Sequence, residues 1–330
     1  MELSAHAPTP VTRPTCGRVA RVDFNACVVL LDDGEYARAT VRGALMGRTK
    51  SLGNTVVVGD DVRLAWEGSG PVAHPSIEQV EPRRNTFSRR ASGREPLEQL
   101  VAVNLDEVIV VAATVDPEFR PGLVDRVFAQ CAHSALPARL VMNKIDAGVR
   151  AAAAAILADY ERAGFGGAMV SAHTGEGVEE LRATLHGKRS MFVGHSGVGK
   201  SSLLNALEPG FALLVGRVND KTGKGRHTTT AATLLRPEPD IEWIDTPGVR
   251  AFGLWGIEPE SLDRAWPDFA RFLGHCRFDD CVHVSEPGCA VRAAVQEGAI
   301  ARRRYDSFLK LREELAQERE LERGRNRGRT

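Results

Sequence analysis

Apolar residues recur along the chain in three successive patterns, and each predicts a different kind of domain. The first is short and β-like. Runs at 17–22 and 26–31 are β-rich, and 35–42, 62–66 and 76–81 read as further strands, with a short apolar run at 56–58. They are separated by Asp32-Asp33-Gly34 and Gly59-Asp60-Asp61, which are hairpin and turn signals. Five strands in a segment this short predict a small closed β-barrel of the OB-fold kind over 15–82. Such a barrel either binds single-stranded nucleic acid or is purely structural.

The second pattern alternates strand and helix. Residues 107–113, apolar from Val108 on, read as a buried strand, and 121–135 has a helical period with Pro121 in its first turn. A strand at 138–142, a helix at 151–164, a strand end at 168–172 and a helix at 177–185 follow. A strand at 190–193, a helix over 202–207 and a strand at 241–245 complete the series. Strands and helices in alternation predict an α/β domain, its sheet mostly parallel with helices on both faces. The third pattern is helical: 262–272, 287–298, and a long exposed helix over 299–321 with Ile300, Leu309, Leu311 and Leu315 among many charges.

Composition narrows the class. The 330 residues are 26% charged and 43% hydrophobic with a formal net charge of zero, so nucleic acid must be met by local patches rather than a global field. No apolar run approaches the roughly 18 residues of a spanning helix, so no membrane role is expected. Residues 1–14 read as a disordered lead-in without a signal-peptide core. One patch stands out at 83–94, where Arg83, Arg84, Arg89, Arg90 and Arg94 surround Phe87 with no acid. This linker either grips phosphates and stacks a base on Phe87, or is a solvated connector.

The chemistry lies in short motifs. Gly194-His195-Ser196-Gly197-Val198-Gly199-Lys200-Ser201, followed by Ser202, is a phosphate-binding loop between a strand and a helix. Its glycines let backbone N–H groups point at phosphate oxygens; Lys200 reaches the β- and γ-phosphates, and the Ser201 hydroxyl ligates Mg²⁺. Asn143-Lys144-Ile145-Asp146 has the N-K-x-D form, in which the aspartate accepts two hydrogen bonds from guanine that adenine cannot donate. Ser171-Ala172, one βα unit later, matches the loop that backs the base. Gly225-Arg226-His227-Thr228-Thr229-Thr230 reads as a switch segment, with Thr229 on Mg²⁺ by position and Thr228 as its rival. The polar, Gly-rich stretch 218–225 before it is expected to be mobile. Asp245-Thr246-Pro247-Gly248 supplies Asp245 to Mg²⁺ through water and the Gly248 N–H to the γ-phosphate.

Cys276, Cys281, His283 and Cys289 carry three thiols and one imidazole, a set suited to a closed structural Zn²⁺ site in a reducing compartment. Cys16, Cys27 and Cys131 read as core or incidental residues.

The motifs run N-K-x-D, S-A-x, phosphate loop, switch, D-T-P-G, a circular permutation of the ordinary GTPase order. This places switch II directly before the C-terminal domain and predicts that nucleotide state is transmitted there. On these residues the chain resembles the circularly permuted, small-ribosomal-subunit-dependent GTPases of bacteria (RsgA, also called YjeQ), from Cys16 to about Tyr305. The resemblance implies barrel (15–82), basic linker (83–104), permuted GTPase domain (105–255), helical zinc domain (256–322) and basic tail (323–330). It implies a cytoplasmic, monomeric GTPase using Mg²⁺ with GTP and one Zn²⁺, which binds the small subunit and its rRNA and assists late maturation. Arg302-Arg303-Arg304 and the tail, read as disordered when free, would then face rRNA phosphates. Val249 stands where many GTPases carry a water-orienting glutamine, and the resemblance gives that task to His227, unless His227 contacts only the ribosome. Two other readings remain open: a GTP-switched regulator acting on tRNA or mature ribosomes, and an ATP-using P-loop enzyme, which Asp146 opposes.

Overall fold

The structure, a computed structural model, describes residues 13–23, 26–45, 54–68, 73–91, 97–148, 150–222, 231–248 and 252–327. The first pattern forms β1 (Cys16–Val22), β2 (Cys27–Leu31), β3 (Tyr36–Val41), β4 (Asp61–Glu67) and β5 (His74–Val80). They close into a barrel in the order β1-β2-β3-β5-β4, with β3 and β5 parallel and β4 returning to β1. All five residues of β2 are buried. Cys27, Val29 and Leu31 fill the barrel, while Val28 and Leu30 join the core of the next domain. Burial on both faces is why this strand reads as an unbroken apolar run. It also pushes the Cys27 thiol up to about 12, and Cys131 is buried likewise, so both act as packing residues.

The segment after the barrel corrects the sequence reading. Residues 86–90 and 98–103 form a two-stranded antiparallel sheet, β6 (Thr86–Arg90) and β7 (Glu98–Val103). Phe87 is fully buried with its ring 5.5 Å from that of Phe252, so no base can stack on it. Arg83 makes a two-pronged pair with the buried Asp60, at 2.7 and 2.9 Å, and Arg84 pairs with Asp106 at 2.9 Å. Arg90 reaches Glu318 and Glu322, while Arg94 lies outside the described residues. These arginines fasten domains together. The joint is tight at Gly59 (φ +93°), where a Cβ would stand 2.4 Å from the Val103 carbonyl oxygen.

The second pattern builds one six-stranded sheet. Its elements are β8 (Glu107–Ala113), α1 (Pro121–His133), β9 (Ala138–Asn143), α2 (Arg150–Arg162), β10 (Gly166–Met169) and α3 (Val178–Ala183). β11 (Arg189–Gly194), α4 (Lys200–Leu207), α5 (Phe211–Thr222), β12 (Thr233–Glu238) and β13 (Ile241–Asp245) follow. The strand order is β10-β9-β8-β11-β13-β12, parallel throughout except that β12 runs against β13. The α5 helix and β12 have no counterpart in the sequence reading. Residues 218–222, expected as mobile switch, are the last turn of α5: Val218 is fully buried and Asn219 accepts from Arg21 of the barrel at 2.6 Å.

Beyond β13 the chain is stitched to what precedes it. Arg90 N donates to Gly253 O at 3.0 Å, and Trp255 exchanges hydrogen bonds with the Gln130 side chain. Residues 262–272 form two short 3₁₀ turns, Leu262–Ala265 and Pro267–Phe269, rather than one helix. Pro267 lacks an N–H and holds Trp266 out of the helical region, at φ −118° and ψ 89°. Then come α6 (Ala290–Gln296) and α7 (Arg302–Arg327).

The α7 helix is not the exposed element its charges suggest. Tyr305, Phe308, Leu311 and Leu315 are buried, and Phe308 stacks edge-on against Phe269 at 4.6 Å. Arg304 is 1% exposed: it pairs with Asp125 of α1 and with Asp268 at 2.5 Å, beneath the Trp266 ring at 4.4 Å. Arg302 pairs with Asp306 and Arg303 with Asp159. Of the triplet, Arg304 is therefore committed within the protein while Arg302 stays exposed, and Arg323–Arg327, expected as a disordered tail, continue the helix. Among the described residues no helix is long and apolar enough to cross a membrane.

Candidate nucleotide site and metal centre

The N-K-x-D, phosphate-loop and D-T-P-G motifs all lie at the carboxyl ends of parallel strands, β9, β11 and β13, the usual position for ligands of an open α/β sheet. At the end of β11 the chain turns at Gly194, where a Cβ would meet the Val111 carbonyl oxygen at 2.8 Å. Gly197 (φ +90°) and Gly199 (φ +85°) take left-handed conformations, and Gly199 caps α4. The first N–H groups of α4 thus open toward the loop, a position that suits phosphate. Lys200, 8% exposed, pairs with Asp245 at the end of β13. Burial pushes the Asp245 carboxyl up, and the Lys200 ammonium opposes that rise. Ser201 and Ser202 lie exposed in the first turn of α4, and half-buried His195 faces α1. Val198 is buried beneath the loop. A Cβ on Gly248 would come within 3.4 Å of Ser196 Cα, so D-T-P-G lies against the phosphate loop.

The N-K-x-D loop joins this cradle through one side chain. Buried Asn143 donates to Val198 O at 3.0 Å and Gly199 O at 3.3 Å, and its Oδ1 accepts from Ala172 N at 3.0 Å. The fit is close, since a Cβ on Gly199 would stand 2.5 Å from Asn143 Nδ2. Lys144 (φ +62°) stretches to Asp116 O at 2.5 Å, and Ile145 is buried. Ser171 Oγ donates to Asp146 Oδ1 at 2.6 Å and accepts from Thr174 N at 3.0 Å. That hydrogen bond holds the Asp146 carboxyl below the usual carboxylate range, so it is ionised at neutral pH. These contacts set the loops of Asp146, Ser171 and Ala172 beside the loop that carries Lys200, which Asp245 and Gly248 also meet. His227, Thr228, Thr229 and Val249 lie outside the described residues.

Two supporting residues escape the sequence reading. The Asp116 carbonyl anchors Lys144; its one signal is the Asp-Pro turn after β8. The other belongs to the metal centre. Cys276, Cys281, His283 and Cys289 place their ligand atoms within 4.8 Å of one another. Cys276 Sγ is 3.9 Å from Cys289 Sγ, and His283 Nδ1 is 3.6, 3.5 and 3.4 Å from the sulfurs of Cys276, Cys281 and Cys289. A tetrahedral Zn²⁺ with bonds of about 2.3 Å to S and about 2.0 Å to N requires separations of about 3.8 and about 3.5 Å, so the donors fit. His283 Nε2 faces Asp263 at 3.5 Å, the carboxylate–histidine arrangement that fixes which nitrogen ligates. Nothing near Asp263 in the sequence announces this.

The model of the RsgA GTPase family matches residues 80–255. The small ribosomal subunit biogenesis GTPase RsgA of Gemmatimonas aurantiaca is 40% identical over 306 residues, covering 92% of this chain and 99% of that protein. The protein of the same name from Chlorobaculum tepidum is 39% identical over 307 residues, with 91% and 98% covered. Among solved structures, YjeQ from Thermotoga maritima superposes with a TM-score of 0.70 at 31% identity, covering 92% of this chain and 98% of that one. YloQ, described as a circularly permuted GTPase, shares the fold with a TM-score of 0.68 at 23% identity, covering 94% and 99%.

Proposed function

The chain belongs to the RsgA GTPase family, and from that membership we infer a GTP-hydrolysing enzyme of small ribosomal subunit biogenesis. In our reading it works as a cytoplasmic monomer that binds the small subunit directly, which stimulates its turnover. The observation that carries the nucleotide assignment is Asn143, whose one amide spans the phosphate loop and the S-A-x loop. Asp146 then reads guanine, with Lys144 along the base and Ser171 and Ala172 behind it. The loop from Gly194 to Ser201 holds the phosphates, with Lys200 between the β and γ groups. Ser201, Thr229 and, through water, Asp245 would hold Mg²⁺, which when bound neutralises charge on the β- and γ-oxygens. His227 accepts a hydrogen bond from water, which attacks the γ-phosphorus as the bond to the β–γ bridging oxygen breaks, leaving GDP and phosphate.

The test is GTP turnover alone and with isolated small subunits, large subunits or tRNA. Stimulation by small subunits only is expected; stimulation by tRNA only would move the protein to the regulator reading. In the same assay His227→Ala keeps its subunit affinity and loses stimulated turnover. Undiminished turnover removes His227 from the chemistry.

We assign Zn²⁺ to the Cys₃His set. Metal analysis should find one zinc per chain. Cys289→Ser should lose it and melt the C-terminal region at lower temperature, since binding energy of a structural zinc is folding energy. A variant that melts like the parent, with or without a chelator, contradicts the assignment.

A further inference from the structure

We propose that a basic cavity between the phosphate loop, α1 and α7 receives a phosphodiester of RNA. The inference rests on the reading that the chain binds the small subunit. The cavity, of about 390 Å³, is lined by Arg120, Arg126, His195, Ser307 and Lys310 over an apolar floor that includes Phe252, and among the described residues no Asp or Glu lines it.

The surrounding cations are matched by acids. Arg126 meets Glu314, Arg303 meets Asp159, and Arg304 meets Asp125 and Asp268. Arg120 and Lys310 differ. Both are exposed, and neither has an ion pair or side-chain hydrogen bond among the described residues. They come from elements far apart in sequence, the residue before α1 and the first third of α7, yet they line one recess.

A recess of one sign over an apolar floor concentrates potential at its mouth. A guanidinium fork beside an ammonium suits the non-bridging oxygens of a phosphodiester. With a formal net charge of zero, the chain has no general attraction for a polyanion, so contact must be made at such local points. His195 ties the recess to the nucleotide: it belongs to the phosphate loop and also lines this cavity. RNA seated here touches the cradle from its outer side, giving subunit binding a direct route to turnover.

The experiment uses the full chain with Arg120→Gln and Lys310→Gln combined. Affinity for isolated small subunits is measured across a salt series, and turnover is measured without subunits. Removing two phosphate contacts should reduce the slope of log affinity against log salt by about two and weaken binding, with unstimulated turnover unchanged. The charge-conserving pair Arg120→Lys and Lys310→Arg should keep the parent slope. An unchanged slope and affinity in the Gln pair, or an equal loss in the charge-conserving pair, overturns the cavity and leaves the proposed function standing. A parent chain that does not bind small subunits overturns both.

Discussion

Asp146→Asn is expected to weaken GTP binding about 10³-fold and to erase the preference for GTP over ATP, while the chain stays folded. In the proposed site the carboxylate would accept from guanine N1–H and N2–H₂ together, and hydrogen bonds to a charged group contribute about 1.5–3 kcal/mol each. Asparagine keeps one acceptor but turns an N–H₂ toward the guanine amino group, setting donor against donor. The fold should be indifferent, because Asp146 is exposed and its one side-chain partner, Ser171, can still donate to the asparagine oxygen. Titrations with fluorescent GTP and ATP analogues decide the matter. A variant that still prefers GTP by the parent margin would remove Asp146 from the guanine site.

The second large effect concerns stability. Arg304→Leu strands Asp125 and Asp268, 1% and 5% exposed, without their shared cation. Breaking a buried ion pair by removing one partner costs about 3–5 kcal/mol, a large part of what holds a domain folded. Burial already pushes the Asp125 carboxyl up, with the Arg304 charge opposing. Without that charge the carboxyl rises further and binds a proton on folding, so the variant's deficit should grow as pH climbs from acid toward neutral. Replacing all three residues by apolar ones should recover much of the loss, since such cores often tolerate the exchange. Urea unfolding across pH reads both variants. An Arg304→Leu loss below about 1 kcal/mol, the range of exposed pairs, would mean that the cluster does not carry the docking of α7.

These effects also show where sequence is informative. Glu107–Ala113 was legible because a strand covered on both sides becomes an unbroken apolar run, here from Val108 to Ala113. The phosphate loop was legible because phosphate binding by backbone forces glycine at fixed places. Arg304 was not: three arginines in a row look solvated, and the acids that claim the third lie 179 and 36 residues away. Phe87 misled for the same reason, since its neighbours are basic while its partner Phe252 comes from beyond the D-T-P-G motif. The α5 helix hid because its polar end resembles a loop, and the contacts that hold that end, Val218 in the core and Asn219 on Arg21 of the barrel, come from far away in the chain. Contacts between domains leave little trace in local pattern.

The strand succession also bears on how the newborn chain is handled. The base-reading half of the sheet, β8 to β10, is synthesised before β11 exists. Until then the β8 edge, apolar from Val108 to Ala113, waits without its neighbour, an aggregation hazard during translation. The Asn143 amide likewise waits for carbonyls 55 and 56 residues downstream. On the proposed nucleotide reading, a nascent chain therefore lacks a complete site until the loop at 194–201 has been synthesised.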